Sequence, residues 1–303
     1  MRVLRIFDVL PFVHAGAVNK RAYLLPELKD AGDSFVEEII YCGGASLLWN
    51  ILYQEYGKCD MVFCSDRTPT VKQGMFPGYK MSREHKEMIR QSRDVCEYIL
   101  KDCGFTVLAD DGYEADDFIY SLVRDLKKQY DMIYIYTGDS DLYFLVDDNV
   151  TILPSSSRAK EVTKQNYTYT AGGSKMEYVP YNMSTFYKIL FGDTSDGIPG
   201  VGGELASRMR NIYDRKEYHK FMGDKETVIE LMSLAGDKMR AQAELVFPLD
   251  VQVPNEFGMG DKLKIAEWGS AFRNRYWATG NGPSERITQL IEEMAELGMA
   301  TER

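Results

Sequence analysis

"FTVLADDGYEADDFIYSLVRDLKKQYDMIYIYTGDSD", residues 105–141, is the stretch that decides the fold. It opens on a short apolar run at 105–109, passes through a helical segment, and closes on an apolar, aromatic run at 132–137. A strand, a helix and a strand in immediate succession form the unit from which parallel sheets are built. The second strand stops at Thr137-Gly138 and delivers Asp139 and Asp141 with only Ser140 between them. Two like charges that close repel each other, and nothing in the stretch neutralises them.

The same pattern recurs on either side. Residues 2–9, "RVLRIFDV", read as a short buried strand with Asp8 near its C-terminal end, and 59–66, "CDMVFCSD", as a strand ending in Asp66. A helical stretch over about 34–56 separates these two, and "NVTIL" (149–153) makes a fifth strand after a short helix. The expectation is an α/β fold: a mainly parallel central sheet flanked by helices. In such sheets ligands sit at the carboxyl ends of the strands, where Asp8, Asp66, Asp139 and Asp141 all fall. Beyond Leu153 the chain is polar and turn-rich, fitting a hairpin and a mobile loop. From Tyr181 helices dominate, the last over about 284–297, so 1–180 reads as a core and 181–303 as a helical region.

Bulk properties narrow the function. With 303 residues and 45% hydrophobic content the chain can bury a sizeable core, and 27% charged residues with frequent Tyr, Phe and Met mark an ordered protein. No apolar run approaches the length of a membrane span. Basic "MRVLR", an apolar stretch and "AGA" at 15–17 imitate a signal peptide, but Asp8 interrupts the apolar part, so that reading is rejected. The five cysteines form no CxxC pair and have no histidine at zinc spacing, so they read as reduced cytoplasmic thiols. A net charge of −10 argues at first against a polyanionic partner.

Two further motifs add acids. "DDGYEADDFIYSLV" (110–123) puts Glu114, Asp116 and Asp117 in the first turn of a helix. Acids there complement the helix dipole, but three in four residues exceed what a dipole requires. "LFGDTSDGIPGVGGELASRM" (190–209) contributes Asp193 and Asp196 before a glycine-dense turn and a helix from about Glu204. Gly200, Gly202 and Gly203 permit a close backbone approach suited to a phosphate, or simply good turn chemistry.

Collected, Asp8, Asp66, Glu114, Asp116, Asp117, Asp139, Asp141, Asp193 and Asp196 aim at one end of one sheet. They cannot all be ionised without cations. Hard oxygen donors without histidine indicate Mg²⁺ or Mn²⁺, and two such ions about 4 Å apart serve in-line phosphodiester displacement. Setting these nine acids aside leaves −1 of the −10, so the charge objection to DNA weakens. In "PTVKQGMFPGYKMSREHKEMIRQSRDVCEYIL" (69–100), Lys80, Arg83, Lys86, Arg90 and Arg93 recur every three or four residues. On one helix they fall within roughly 140° of arc, opposite Met81, Met88, Val95 and Ile99. A solvated basic face gives the same pattern; close to the acids, Lys80 and Arg83 would hold a scissile phosphate. Phe76 and Tyr79 are available to stack on a base or to pack in the core.

These residues resemble the 5′-nuclease or flap endonuclease superfamily, above all its bacteriophage-type enzymes, including phage RNase H, and the 5′-nuclease domain of bacterial DNA polymerase I. The family's motifs stand here as "YEADD" (113–117), "TGDSD" (137–141), "GDTSDGIPGVGG" (192–203) and "PGYKMSR" (77–83), in the family's order over about 1–215. The resemblance implies a PIN-like nuclease core and a helical arch over about 67–104. It also implies a helix–three-turn–helix over about 186–210 that grips duplex DNA and often binds K⁺ through backbone carbonyls. By position, Asp8, Asp66, Glu114 and Asp116 would surround a first metal, Asp139 would lie between two, and Asp141 and Asp193 would serve the second. Asp117 and Asp196 would act directly or through water. Lys80 and Arg83 match the catalytic arch residues, and Lys72, Tyr79, Lys86, Arg90, Gly200, Gly202 and Gly203 are the DNA-contact expectations. Val9 follows Asp8 where the family usually has glycine, and the spacing from Asp66 to Lys80 is one residue short.

The reading is a two-metal 5′-nuclease, exonuclease or flap endonuclease, acting on 5′ flaps, nicks, gaps and RNA–DNA hybrid during replication or repair. It is expected to be a cytoplasmic monomer (host cytoplasm if viral) with no membrane partner, and with a replication clamp or single-strand-binding protein as the protein-partner candidates. A DNA-binding protein of the same fold without chemistry is the rival. A small-molecule phosphatase would explain the acids but not the basic stripe or the hairpin.

Overall fold

Five short β-strands carry the molecule: β1 (Val3–Asp8), β2 (Asp60–Cys64), β3 (Thr106–Leu108), β4 (Met132–Tyr136) and β5 (Val150–Leu153). The computed structural model describes residues 1–14, 52, 55–80, 87–153, 161–163, 169–170, 178–179, 188, 192–193, 196–198, 200 and 244–268. All five strands pair in parallel, in the order β3-β2-β1-β4-β5. The register pairs Phe7 with Phe63 on one side and with Tyr136 on the other, so the strands' carboxyl ends finish level. These are the five strands expected from the sequence, each trimmed by one to three residues.

Side chains alternate with the pleat. Leu4, Ile6, Val62, Cys64, Ile133 and Ile135 pack on one face beneath helix α3 (Ala115–Leu126), through Phe118, Ile119, Leu122, Val123 and Leu126. Each such side chain, fully buried, contributes about 2 kcal/mol. On the other face Phe7, Met61, Phe63 and Tyr136 meet helix α2 (Glu87–Asp102) through Val95, Cys96, Ile99 and Leu100. Phe7 stacks on Phe63 at 4.8 Å and on Tyr136 at 4.5 Å, an aromatic row across three strands. Asp8 has the parity of Leu4 and Ile6, so its carboxylate turns toward α3, whose N-terminus carries the YEADD acids.

Helix α1 (Thr70–Met75) is followed by a turn at 77–80, and α2 is described from Glu87 onward. Of the helix face expected from Lys80 to Arg93, Arg90 and Arg93 lie on α2, Arg83 and Lys86 fall outside the described residues, and Lys80 is the correction. Lys80 lies in the turn with φ +51°, a left-handed backbone that no right-handed helix contains, and its N–H donates to the Asp196 carbonyl at 3.0 Å. The hairpin expected after Leu153 is present as β6 (Tyr169–Thr170) against antiparallel β7 (Tyr178–Val179).

Residues 244–268, which the sequence reading places in the helical C-terminal region, run along the core. The Leu249 N–H donates to Asp117 at 2.6 Å, Val251 to Ser121 Oγ at 3.0 Å, and Gly258 to Thr106 Oγ1 at 2.7 Å. Trp268, 1% exposed, donates to Asp102 at 3.1 Å. The expected helices over 34–56, from Glu204 and over 284–297 fall wholly or almost wholly outside the described residues.

Candidate active site

The strand order reverses between β1 and β4, the switch point where ligands bind open parallel sheets. Asp8 ends β1 there, and Asp139 follows β4 by three residues. Thr137 organises this end: its hydroxyl donates to Asp8 Oδ2 at 2.8 Å and accepts the Asp139 N–H at 3.0 Å. Asp139 caps the 3₁₀ helix Ser140–Leu145, accepting the Asp141 N–H at 2.8 Å. The TGDSD run is therefore a strand stop and a helix start that point two carboxylates into one space.

Asp8, Asp66, Asp116 and Asp139 form a first group. Burial, then the charge of Asp66 and that of Asp139, push the Asp8 carboxyl well above its usual range. Burial also raises Asp116, with Asp139, Asp8 and Asp66 adding to it. Asp66 accepts the Ala115 N–H at 2.8 Å, which brings the end of β2 to the start of α3. A second group holds Asp141, Asp193 and Asp196, with one oxygen of each within 4.8 Å of the others. Burial and Asp139 carry Asp141 up to about 7, against the pull of Lys188. The Lys188 ammonium bonds Asp141 and lies 2.7 Å from Asp193. The sequence reading missed Lys188 because a lone lysine in "FYKILF" carries no local signal that its ammonium enters the acid cluster.

Glu114 and Asp117 behave differently. Glu114 Oε1 takes Lys80 at 2.5 Å, while Oε2 takes Tyr79 Oη at 2.9 Å and Lys72 at 3.2 Å. Burial would raise Glu114, but Lys80 and Lys72 bring it down to about 2. Asp117 accepts the Glu114 and Leu249 N–H groups at 2.8 and 2.6 Å, one half of a capping box and one tie to the C-terminal segment. Both acids are engaged with protein donors.

Among the expected DNA contacts, Lys72 and Tyr79 are buried at 3% and 2% exposure, so neither is presented at a surface. Tyr79 packs with Ile198 and Leu245 in a small apolar cluster. Lys80 remains beside the acids, 3.9 Å from Asp196. Arg90 is exposed on α2. Gly200 is buried with φ +69°. Arg83, Lys86, Gly202 and Gly203 lie outside the described residues.

A network that no motif announced supports Asp66. Its carbonyl accepts Arg67 at 3.0 Å and Arg93 at 2.9 Å. Arg67 in turn forks onto Glu97 at 2.7 and 2.6 Å, and Ser65 donates to the same carboxylate at 2.5 Å.

Divalent cations fit this donor set. It is all carboxylate, without histidine or cysteine. Asp8 Oδ1 is buried with no hydrogen-bond partner among the described residues, an oxygen that a cation would satisfy. The raised acids mark repulsion that a cation would relieve.

Fold and acids together are those of the 5′-nuclease superfamily. The chain belongs to the 5′-3′ exonuclease, N-terminal resolvase-like domain family, which matches residues 16–172. That match leaves out Asp8, Lys188, Asp193 and Asp196, which the fold itself brings to the site. DNA polymerase I of Mycobacterium tuberculosis is 31% identical over 170 residues, 55% of this chain and 18% of the polymerase. The chain thus spans about a fifth to a quarter of the polymerases it matches. The 5′-3′ exonuclease of Buchnera aphidicola is 28% identical over 223 residues, covering 66% of this chain and 74% of that protein. The bacteriophage T5 D15 protein co-crystallised with metal ions shares the fold, with a TM-score of 0.52 at 14% identity over 98% of this chain and 99% of its own.

Proposed function

We propose that the protein is a structure-specific, divalent-metal-dependent 5′-nuclease that cuts phosphodiesters near the 5′ end of an annealed strand and leaves 5′-phosphates. Its substrates would be 5′ flaps, nicked or gapped duplex and RNA–DNA hybrid, consistent with primer removal. The observation that carries this reading is the switch-point cluster: seven carboxylates in two adjoining groups, with three of them raised by burial and mutual repulsion.

Asp8, Asp66, Asp116 and Asp139 would hold one Mg²⁺ or Mn²⁺, and Asp141, Asp193 and Asp196 a second. When bound, such ions activate water and neutralise charge on the phosphate oxygens during in-line displacement. The chain's own cations do the positioning. Glu114 keeps the Lys80 ammonium at the edge of both acid groups, where it can meet a phosphate oxygen. Lys72 and Asp117 fix Glu114 from behind, so that Glu114 and Asp117 serve the site by orienting others. Lys188 offsets the charge of Asp141 and Asp193 from inside the protein. The glycine turn of 186–210 would grip the duplex backbone, with K⁺ bound there by carbonyls.

A 5′-flap duplex labelled at its 5′ end, incubated with Mg²⁺ and separately with EDTA, tests the reading. Metal-dependent cleavage near the junction is expected, and Asp139→Asn should lose about a hundredfold or more in single-turnover rate. Tight binding without cleavage in both Mg²⁺ and Mn²⁺ would instead assign the chain to DNA binding alone.

A further inference from the structure

Beside the first acid group lies a cavity of about 250 Å³, walled by Arg67, Lys80, Arg90 and Arg93 and by the acids Asp66 and Glu114. Four cations face two carboxylates, so the described charged lining is positive by two. The carboxylates are also engaged: Asp66 Oδ1 accepts the Ala115 N–H, and both Glu114 oxygens accept lysine and tyrosine donors. Arg67 is held but not exhausted. Among described residues, Arg67 spends its two terminal nitrogens on Glu97 and the Asp66 carbonyl, which leaves its Nε–H uncommitted.

We propose that this cavity is a subsite for a 5′-terminal phosphomonoester, which deepens the nuclease reading and rests on it. Charge decides the ligand: a terminal phosphomonoester carries about −1.5 to −2 near pH 7, whereas each internal phosphodiester carries one negative charge. Guanidinium groups suit such an anion because their N–H donors match phosphate oxygens in pairs. Size limits the ligand as well. At about 30 Å³ per water the cavity holds roughly eight, room for a phosphate and its sugar but not for duplex. Asp66 belongs to both the cavity wall and the first acid group, so a strand end seated here sets its adjacent phosphodiester at the acids. The subsite thus measures off the terminal nucleotide in exonucleolytic cutting. A long 5′ flap carries its end past the cavity, and its cleavage is indifferent to that end.

The test compares 5′-phosphorylated with 5′-hydroxyl strands in two arms. In EDTA, short single strands are titrated by fluorescence anisotropy; the phosphorylated strand should bind about tenfold more tightly, the size of one charge-assisted hydrogen bond. In Mg²⁺, nicked duplexes should show a similar ratio in kcat/KM, with a mononucleotide as the first product, while long flaps show none. Arg90→Ala, exposed on α2, should bring both ratios close to one; the ratio, not the absolute affinity, is the readout. Free nucleoside 5′-monophosphate should compete only with phosphorylated ends. Equal binding and equal cutting of the two ends, with flap cleavage intact, would remove the subsite and leave the nuclease standing. A retained binding ratio without any cleavage would do the reverse.

Discussion

Glu97 is 2% exposed and still held as a carboxylate. Burial pushes it up, but the Arg67 fork and the Ser65 hydroxyl win and lower it below its usual value. Through Arg67 and Arg93 it fixes the Asp66 carbonyl, so a residue on α2 aligns an acid at the end of β2. Its contribution to stability is complete above the unfolded glutamate value of about 4.3 and is lost as pH falls through the depressed folded value. Glu97→Gln should therefore cost about 3 kcal/mol in urea denaturation near neutral pH, as breaking a buried pair does. The gap to wild type should close below pH of about 4, where wild type loses the same charge. A gap unchanged by acid would mean that Glu97 acts through packing alone. The acids of the site were legible because each stands in a short motif at a strand end or helix start. Glu97 was not: in "DVCEYIL" it reads as an ordinary helix charge, and its partner comes from 30 residues earlier.

At the scale of elements, the strands were readable because strands of a parallel sheet buried on both faces stand out as short, near-continuous apolar runs. The 244–268 segment was not, since "VPNEFGMGD" has no period and its bonds are formed only in three dimensions. It nevertheless links the acid end of α3, at Asp117, to the far end of α2, at Asp102. Its tightest point is Gly258, where an added Cβ would stand 2.2 Å from the Gly104 carbonyl oxygen. Backbone meets backbone there, so neither side can yield by rotating a side chain. Gly258→Ala should destabilise the protein by about 3 kcal/mol or more, read from the denaturation midpoint. A midpoint within experimental error of wild type would show that the segment does not seat there in solution. Gly197 is a second close approach, where a Cβ would stand 2.7 Å from the Gly78 carbonyl oxygen. It presses the 77–80 turn onto 196–198, which is why Lys80 takes a left-handed backbone that periodicity could not foresee.

For the whole molecule the controlling feature is charge gathered at one end of the sheet. In the metal-free protein Asp8, Asp116 and Asp141 titrate above their usual range, Asp141 at about 7. Between the unfolded aspartate value of about 3.9 and these raised values, the folded state binds more protons than the unfolded state. Stability in EDTA should consequently fall as pH rises from about 5 to about 8. Glu97 and Glu114 add no slope over that window, because both lie below their unfolded values and are already ionised in either state. Cations bind the deprotonated acids of the folded protein, so they stabilise by mass action and act most where repulsion is greatest. Melting temperatures in EDTA and in Mg²⁺ should thus diverge with pH, the metal-dependent gain being larger at about pH 8 than at about pH 5. Asp141→Asn removes one repelling charge, so it should raise the metal-free melting temperature at the alkaline end and shrink the gain from metal. A melting temperature that climbs with pH in EDTA, or a metal gain that ignores pH, would mean that the carboxylates at the switch point are not a strained cation site.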